Sequence, residues 1–106
     1  MNYQWQRKAE DRLRKAAAYC ATEFGRTVAY DFLDSVDRQV NLLAEFPEIG
    51  KVEPLLKDRK LVYRSLVVHK FFKLIYYVNE KKQRIVIADL WDTRREPTAQ
   101  AARIKH

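Results

Sequence analysis

Two cations lie inside an otherwise apolar stretch of the sequence, VYRSLVVHKFFKLIYYV at residues 62–78. Arg64 and Lys73 each fall within a run of β-branched and aromatic residues, which is typical of β-strands, and His69-Lys70 falls between the two runs. Because strand side chains alternate between the faces of a sheet, we expect both cations on the face that the core leaves free. Positive charge gathered there could stabilise a phosphate group and the charge that develops during its transfer. The stretch therefore predicts an anion-binding sheet face.

The pairing of the strands decides which residues share that face. A two-residue turn at His69-Lys70 places Arg64 opposite Ile75. Extending the pairing across the polar loop NEKKQ places Lys73 opposite Asp89, so that part of the charge of Lys73 is expected to be used in a local pair. The predicted outer face carries these residues: Arg64, Lys73, Ile75, Tyr77, Ile85, Ile87, Asp89 and Trp91.

The segment after the third predicted strand of this meander adds further cations to the same end of the sheet. Arg94-Arg95 follows that strand and returns to the end where His69 and Lys70 are expected. Tyr77 and Trp91 supply aromatic rings on the same face, and rings beside cations suit phosphate contact and stacking on bases. A face that is merely solvated is the alternative, since charged outer faces are common in antiparallel sheets.

The period of the hydrophobic pattern changes along the chain. Up to about residue 45, apolar residues recur every three or four positions, which predicts two helices. Gly25 marks the break between them, Thr27 is the expected N-cap of the second helix, and Pro47 and Gly50 end it. From Leu61 the period becomes two, which is typical of strands. The predicted strands are residues 2–5, 61–68, 70–78 and 84–91.

These elements predict an α+β fold in a single domain, residues 1–106. We expect an N-terminal edge strand and an antiparallel helical hairpin packed on one face of a small antiparallel sheet. Residues 98–106 form a C-terminal tail for which the pattern selects neither helix nor disorder.

The composition favours an anionic partner and disfavours several other classes of protein. The chain has 21 Lys and Arg against 14 Asp and Glu, a net charge of +7 that suits nucleic acid or an acidic protein, with solubility as the plainer explanation. No apolar run approaches the roughly 20 residues of a membrane span, and the N-terminus turns polar at once, so we expect neither a span nor a secretory signal. The lone cysteine, Cys20, is expected to be a buried thiol and fits a reducing cytoplasm. His69 and His106 are the only histidines and lack ligand spacing, so we expect no metal and no cofactor.

The order of several short motifs resembles that of a known group of proteins. A helical hairpin is followed by FPEIG, then YRSL, KLIYYV and LWDTRREP. Over about residues 3–97 this order and spacing resemble the RelE/ParE superfamily of bacterial toxins. The resemblance implies the toxin half of a type II toxin–antitoxin pair, whose partner is a cognate antitoxin that covers the basic surface of the toxin.

The resemblance implies one of two activities. RelE-like members cleave messenger RNA on the ribosome and use cations on the sheet to stabilise the developing phosphorane charge, whereas ParE-like members inhibit DNA gyrase and lack the nuclease residues. Arg64, Lys73 and the Arg94-Arg95 pair match the nuclease cations. Leu66 departs from the pattern because a second basic residue is expected there, and His106 is the only residue near the C-terminus that could replace the expected tyrosine or histidine.

We therefore predict a cytoplasmic toxin that inhibits translation by ribosome-dependent mRNA cleavage, with the ribosome and mRNA as its targets. Inhibition of DNA gyrase without nuclease activity is the alternative, and an inactive relative or simple interaction module is the third. His69 is the only side chain near the predicted site whose ordinary pKa suits proton transfer near neutral pH. The predicted catalytic residues are Arg64, Lys73, Arg94 and Arg95, and the predicted substrate-binding residues are His69, Lys70, Tyr77 and Trp91.

Overall fold

The computed structural model describes all of residues 1–106, and its strands form one five-stranded sheet in the order β1-β5-β4-β3-β2. β1 is parallel to β5, and the other neighbours are antiparallel. The sheet is therefore mixed, whereas a purely antiparallel one was expected. The elements are β1 (Asn2–Trp5), α1 (Arg7–Phe24), α2 (Arg26–Glu45), β2 (Lys51–Val52), a 3₁₀ turn (Pro54–Leu56), β3 (Arg64–His69), β4 (Phe72–Asn79), β5 (Arg84–Asp92) and α3 (Pro97–Ala101).

The predicted α+β fold is confirmed, with the helical hairpin on one face of the sheet and β1 at an edge. Gly25 alone connects the two helices, with φ +98° and ψ 164°, a conformation that is essentially restricted to glycine. Because Gly25 is itself the N-cap of α2, Thr27 lies inside the first turn, and its predicted role as N-cap is wrong. None of the helices combines the length and the apolar character that a membrane span requires.

The core under the helices joins apolar side chains from α1, α2 and three strands. Phe32 and Leu43 of α2 are fully buried there with Leu74 and Tyr76 of β4. Cys20 also lies in this core, as predicted, and burial raises the pKa of its thiol.

Two β-bulges change the predicted register. The β3–β4 turn is at Lys70-Phe71 instead of His69-Lys70, and Val68 is left out of the pairing, so Arg64 lies opposite Tyr76. Asn79 pairs with Arg84, so the β4–β5 loop is one residue shorter than the predicted NEKKQ, and Ala88 is likewise left out of the pairing. Together the two changes place Lys73 opposite Trp91 instead of Asp89. A bulge inserts one unpaired residue, and hydrophobic alternation alone does not reveal it.

The C-terminal segment covers much of the second face of the sheet. α3 and the residues after it carry Ala101 and Ile104 into a second core with Ile75 and Trp91. Arg59 fastens this segment, because its Nε donates to the carbonyl of Ile104 at 2.6 Å and its Nη2 to that of Ala101 at 3.0 Å. Residues 98–106 are therefore packed against the domain, and the sheet face that was expected to be open lies largely beneath them.

Tyr76 connects the sheet to the loop after α2 and supplies a stability test. Its buried hydroxyl accepts a hydrogen bond from the amide of Gly50 at 2.9 Å and donates one to the carbonyl of Pro47 at 2.8 Å. We expect Tyr76→Phe to lower the free energy of unfolding by about 1–3 kcal/mol, because it leaves a buried amide and carbonyl unpaired. Urea denaturation measures this loss. Tyr30→Phe, at a side chain that is 59% exposed, is the matched control and should change nothing; equal midpoints for the two variants would contradict the prediction.

Candidate functional site

Lys73 is held by an internal ion pair. Its Nζ donates to Oε1 of Glu53 at 2.5 Å and lies 5.2 Å from the centroid of the Trp91 ring. Glu53 is only 1% exposed, and the side chain of Lys73 is 19% exposed. Most of the charge of Lys73 is therefore opposed by a carboxylate inside the protein.

Glu53 also caps the 3₁₀ turn, since its Oε2 accepts a hydrogen bond from the amide of Leu55 at 3.1 Å. Burial acts to raise the pKa of Glu53, but the hydrogen bonds from Lys73 and Leu55, together with the charge of Lys73, outweigh burial and the pKa is lowered. Glu53 is thus a buried carboxylate that is stable in its charged form.

Arg64 and Lys73 lie on opposite faces of the sheet. Arg64 shares the face of its cross-strand partner Tyr76, which packs under the helices, whereas Lys73 shares the face of Trp91. Arg64 is half-buried at the edge of its face, and its Nη1 donates to the carbonyl of Gly50 at 2.8 Å. The expectation that both cations project from one exposed face is therefore wrong.

His69 and Lys70 separate at the β3–β4 turn. His69 turns towards α2, where its Nδ1 lies 3.2 Å from Oγ of Ser35 and its ring meets the edge of Phe32, while its buried Nε2 has no partner. Lys70 is exposed and has φ +44°. The histidine therefore packs against a helix instead of facing the outer side of the sheet.

The two predicted stacking rings are not freely exposed. Trp91 is only 1% exposed, and its Nε1 donates to Oδ2 of Asp89 at 2.8 Å. Tyr77 is half-buried and meets the ring of Tyr63 edge to face at 5.5 Å. Neither ring offers an open face of the kind that a stacked base requires.

Arg94 and Arg95 lie at the exposed end of β5. Arg94 donates from Nε and Nη2 to the carboxylate of Asp92 at 3.1 and 3.0 Å, and its guanidinium lies 3.5 Å from the centroid of the Phe71 ring. Burial acts to raise the pKa of Asp92, but its hydrogen bonds with Arg94 and the charges of Arg94 and Arg95 lower it overall. The side chain of Arg95 is 76% exposed and its Nε stays 3.9 Å from Asp92.

The sequence reasoning missed a groove between α1 and the chain after β5, with a volume of about 700 Å³. We call it the cationic groove, because it is lined by the positive side chains Lys8, Arg12, Lys15, Arg94, Arg95 and Arg103.

The sequence pattern that indicates this groove is the spacing of the basic residues in α1. Lys8, Arg12 and Lys15 are spaced i, i+4 and i+7, which places them on one helix face, but the prediction of a cationic site considered only the strands and the residues after them. The contribution of Arg103 depends on how the C-terminal segment folds back, which the pattern left open.

Asp89 is a buried carboxylate that forms ion pairs with two of the arginines that line the cationic groove. It is 2% exposed and pairs with Nε of Arg12 at 3.3 Å and Nη2 of Arg103 at 2.9 Å. It also accepts hydrogen bonds from the indole of Trp91 and the amide of Leu90. The groove can attract anions, whereas no group of three or more His, Cys, Asp or Glu side chains is placed to hold a metal ion.

The helical hairpin, the sheet and the basic surface define a toxin of the RelE/ParE superfamily. A family model described as "ParE toxin of type II toxin-antitoxin system, parDE" matches residues 3–97, so the chain belongs to the ParE toxin family. A solved structure titled "Chromosomal ParDE TA system from P. aeruginosa" has the same fold, with a TM-score of 0.68 and 21% identity over 85% of this chain and 92% of that chain. No curated protein matches the sequence. The predicted superfamily and the predicted type II toxin are thereby confirmed.

Proposed function

We propose that this toxin binds and inhibits DNA gyrase and does not cleave mRNA. The observation that carries the proposal is the separation of the cations expected for a nuclease: Arg64 and Lys73 lie on opposite faces, and Lys73 is paired with Glu53. The family membership supports the same conclusion, because ParE-like members of the superfamily are the gyrase inhibitors. Gyrase acts in the cytoplasm, which is where we place the toxin.

The chemistry of RNA cleavage also argues against a nuclease. One group must take a proton from the ribose 2′-hydroxyl and another must give a proton to the leaving oxygen. His69 is the imidazole at this end of the sheet, but it is turned towards Ser35 and Phe32 under α2. Lys73 could approach a phosphorane only after breaking its ion pair with the buried Glu53, which would leave that carboxylate without its partner.

The proposal includes a cognate antitoxin that neutralises the toxin. The net charge of +7 favours acidic segments in that partner. Co-expression of the antitoxin encoded beside the toxin should restore growth.

Pulse labelling of new DNA and new protein after induction in a bacterial host tests the target. We expect DNA synthesis to fall within minutes while protein synthesis continues, and we expect the purified toxin to inhibit supercoiling by purified gyrase. Arg64→Ala should keep this inhibition within about two-fold when the variant is assayed folded, because Arg64 is half-buried and its guanidinium is bound to the carbonyl of Gly50.

The nuclease alternative gives the opposite pattern. An early fall in protein synthesis, with ribosome-dependent cuts in mRNA that Arg64→Ala abolishes at a temperature where this variant is still folded, would overturn the proposal. Antitoxin co-expression controls for effects of induction that are unrelated to the toxin.

A further inference from the structure

The cationic groove contains three guanidinium groups whose positions are already fixed. Arg12 and Arg103 are held by the buried Asp89, and Arg94 is held by Asp92 and the ring of Phe71. Each of the three keeps at least one terminal guanidinium nitrogen that makes no hydrogen bond within the protein. These arginines can therefore bind an anion without first losing the conformational freedom of their side chains.

The remaining three cations of the groove have no close carboxylate. Lys8 and Lys15 are exposed and form no ion pair, and Arg95 is separated from Asp92 by 3.9 Å. Asp11, the other carboxylate of the rim, is bound by Arg14 from outside the groove. The groove therefore has positive charge that the protein itself does not neutralise.

The arrangement suits a line of phosphates. Lys8 and Lys15 are seven residues apart on α1, which is about 10 Å along a helix. Along the axis of a duplex, where each strand has one phosphate per about 3.4 Å of rise, this length corresponds to roughly three nucleotides. Arg95 and Arg103 line the opposite wall, so a strand in the groove would meet cations from both sides. Guanidinium groups match the geometry of phosphate oxygens.

An extended acidic peptide fits the groove less well. Such peptides gain affinity from main-chain hydrogen bonds to a free strand edge. β1 pairs only with Arg84–Ile87 of β5, and beside the groove side chains occupy the outward main-chain groups of that strand. The amide of Leu90 donates to Asp89, and the amide and carbonyl of Asp92 are hydrogen-bonded to the side chain of Gln100, so these groups are not open to a peptide. The groove therefore favours a ligand that carries its charge on its own backbone.

We propose that the cationic groove binds the phosphate backbone of DNA, so that the toxin contacts the DNA held by gyrase as well as gyrase itself. The gyrase part of this inference rests on the proposed function, whereas binding of DNA by the isolated toxin does not. The phosphates belong to a nucleic acid strand and not to a free nucleotide, because the cations extend over several phosphate spacings.

Fluorescence anisotropy of a labelled 25-base-pair duplex, measured with purified toxin over a series of salt concentrations, tests the groove. Lys8→Ala/Lys15→Ala/Arg95→Ala removes the three groove cations that donate no hydrogen bond to a carboxylate of the protein, and of these only Arg95 has a carboxylate within 4 Å. We expect it to reduce the magnitude of the slope of log K against log salt by about three, and to weaken binding about 10²-fold near 0.15 M salt. Lys51→Ala/Lys81→Ala/Lys82→Ala removes the same charge at exposed positions outside the groove and should keep most of the slope.

Three outcomes would overturn the inference: equal slopes for the two triple variants, displacement of the duplex by polyglutamate as effective as displacement by unlabelled DNA, or displacement by ATP at equal phosphate concentration. Inhibition of gyrase, measured for the wild type and for the groove variant, distinguishes a failure of this inference from a failure of the proposed function. If the toxin inhibits gyrase and the groove variant inhibits equally well, the inferred contact with the DNA held by gyrase is wrong and the proposed function stands. If the toxin binds DNA through the groove but does not inhibit gyrase, the proposed function fails alone.

Discussion

Replacing Asp89 with alanine is expected to lower the free energy of unfolding by about 3–5 kcal/mol, the range seen when one partner is removed from a buried ion pair. Asp89 is 2% exposed and lies between Arg12 and Arg103. The substitution leaves both guanidinium groups without their carboxylate. It also leaves the indole N–H of Trp91 and the amide of Leu90 without an acceptor. The loss of two kinds of partner at once places this substitution among the largest single-site effects that we expect.

Urea denaturation of two further variants separates charge from hydrogen bonding. Asp89→Asn keeps an acceptor for Trp91 but removes the negative charge, so its loss should be smaller than that of Asp89→Ala. Asp11→Ala breaks an ion pair with Arg14 in which both side chains are exposed, and it should cost less than about 1 kcal/mol. If Asp89→Ala costs no more than Asp11→Ala, Asp89 does not organise this part of the molecule.

The elements of the fold were predictable because each has a local cause. The periods of 3.6 and 2 reported the helices and strands, and Gly25 marked the break of the hairpin because few other residues adopt its backbone conformation. The register was not predictable to the same degree. The bulges at Val68 and Ala88 depend on how complete strands pack, and each shifts every later pair by one residue.

The error in the predicted register also changed which residues were predicted to lie together in the candidate site. Arg64 was predicted to share a sheet face with Lys73. The observed pairing is shifted by one residue, and a shift of one residue moves a side chain to the other face. The true partner of Lys73 is Glu53, which comes from a loop that no periodic pattern describes. The groove was missed for a similar reason, since Arg103 reaches it only through the packing of the C-terminal segment against the second sheet face.

These findings assign different tasks to the cations of the chain. Lys73 and Arg64 connect the sheet to the loop that contains Gly50 and Glu53, whereas the cations of α1 and of the segment after β5 face solvent together. Loss of toxicity after a change at Lys73 is therefore ambiguous unless stability is measured as well. The ion pair itself supplies the means to separate the two explanations.

Lys73→Met is expected to lower the free energy of unfolding by about 3–5 kcal/mol, because it leaves Glu53 buried without a counter-charge. Adding Glu53→Gln to Lys73→Met should recover most of this loss, since a neutral side chain at this position needs no cation and can still accept from the amide of Leu55. Urea denaturation of the wild type, both single variants and the double variant gives the coupling energy.

The same pair predicts a dependence on pH. The pKa of Glu53 is lowered from its ordinary value of 4.5 in the folded protein, so its contribution to stability is fully present above that value and is lost as the pH falls through the folded pKa. Glu53→Gln removes this contribution. The difference in stability between wild type and Glu53→Gln should therefore be largest near neutral pH and shrink below about pH 4.5. Using the difference cancels the similar effects of Asp92 and Glu96, whose pKa values are also lowered.

The double variant decides between a structural and a catalytic Lys73. If the lysine only balances Glu53, Lys73→Met/Glu53→Gln should regain toxicity together with stability, because the groove and the outer surface of the toxin are unchanged. If Lys73 instead stabilises a phosphorane, the double variant should fold and remain non-toxic, and mRNA cleavage should be lost with it. The second result would contradict the proposed inhibition of gyrase, because a gyrase inhibitor has no use for a catalytic cation at this position.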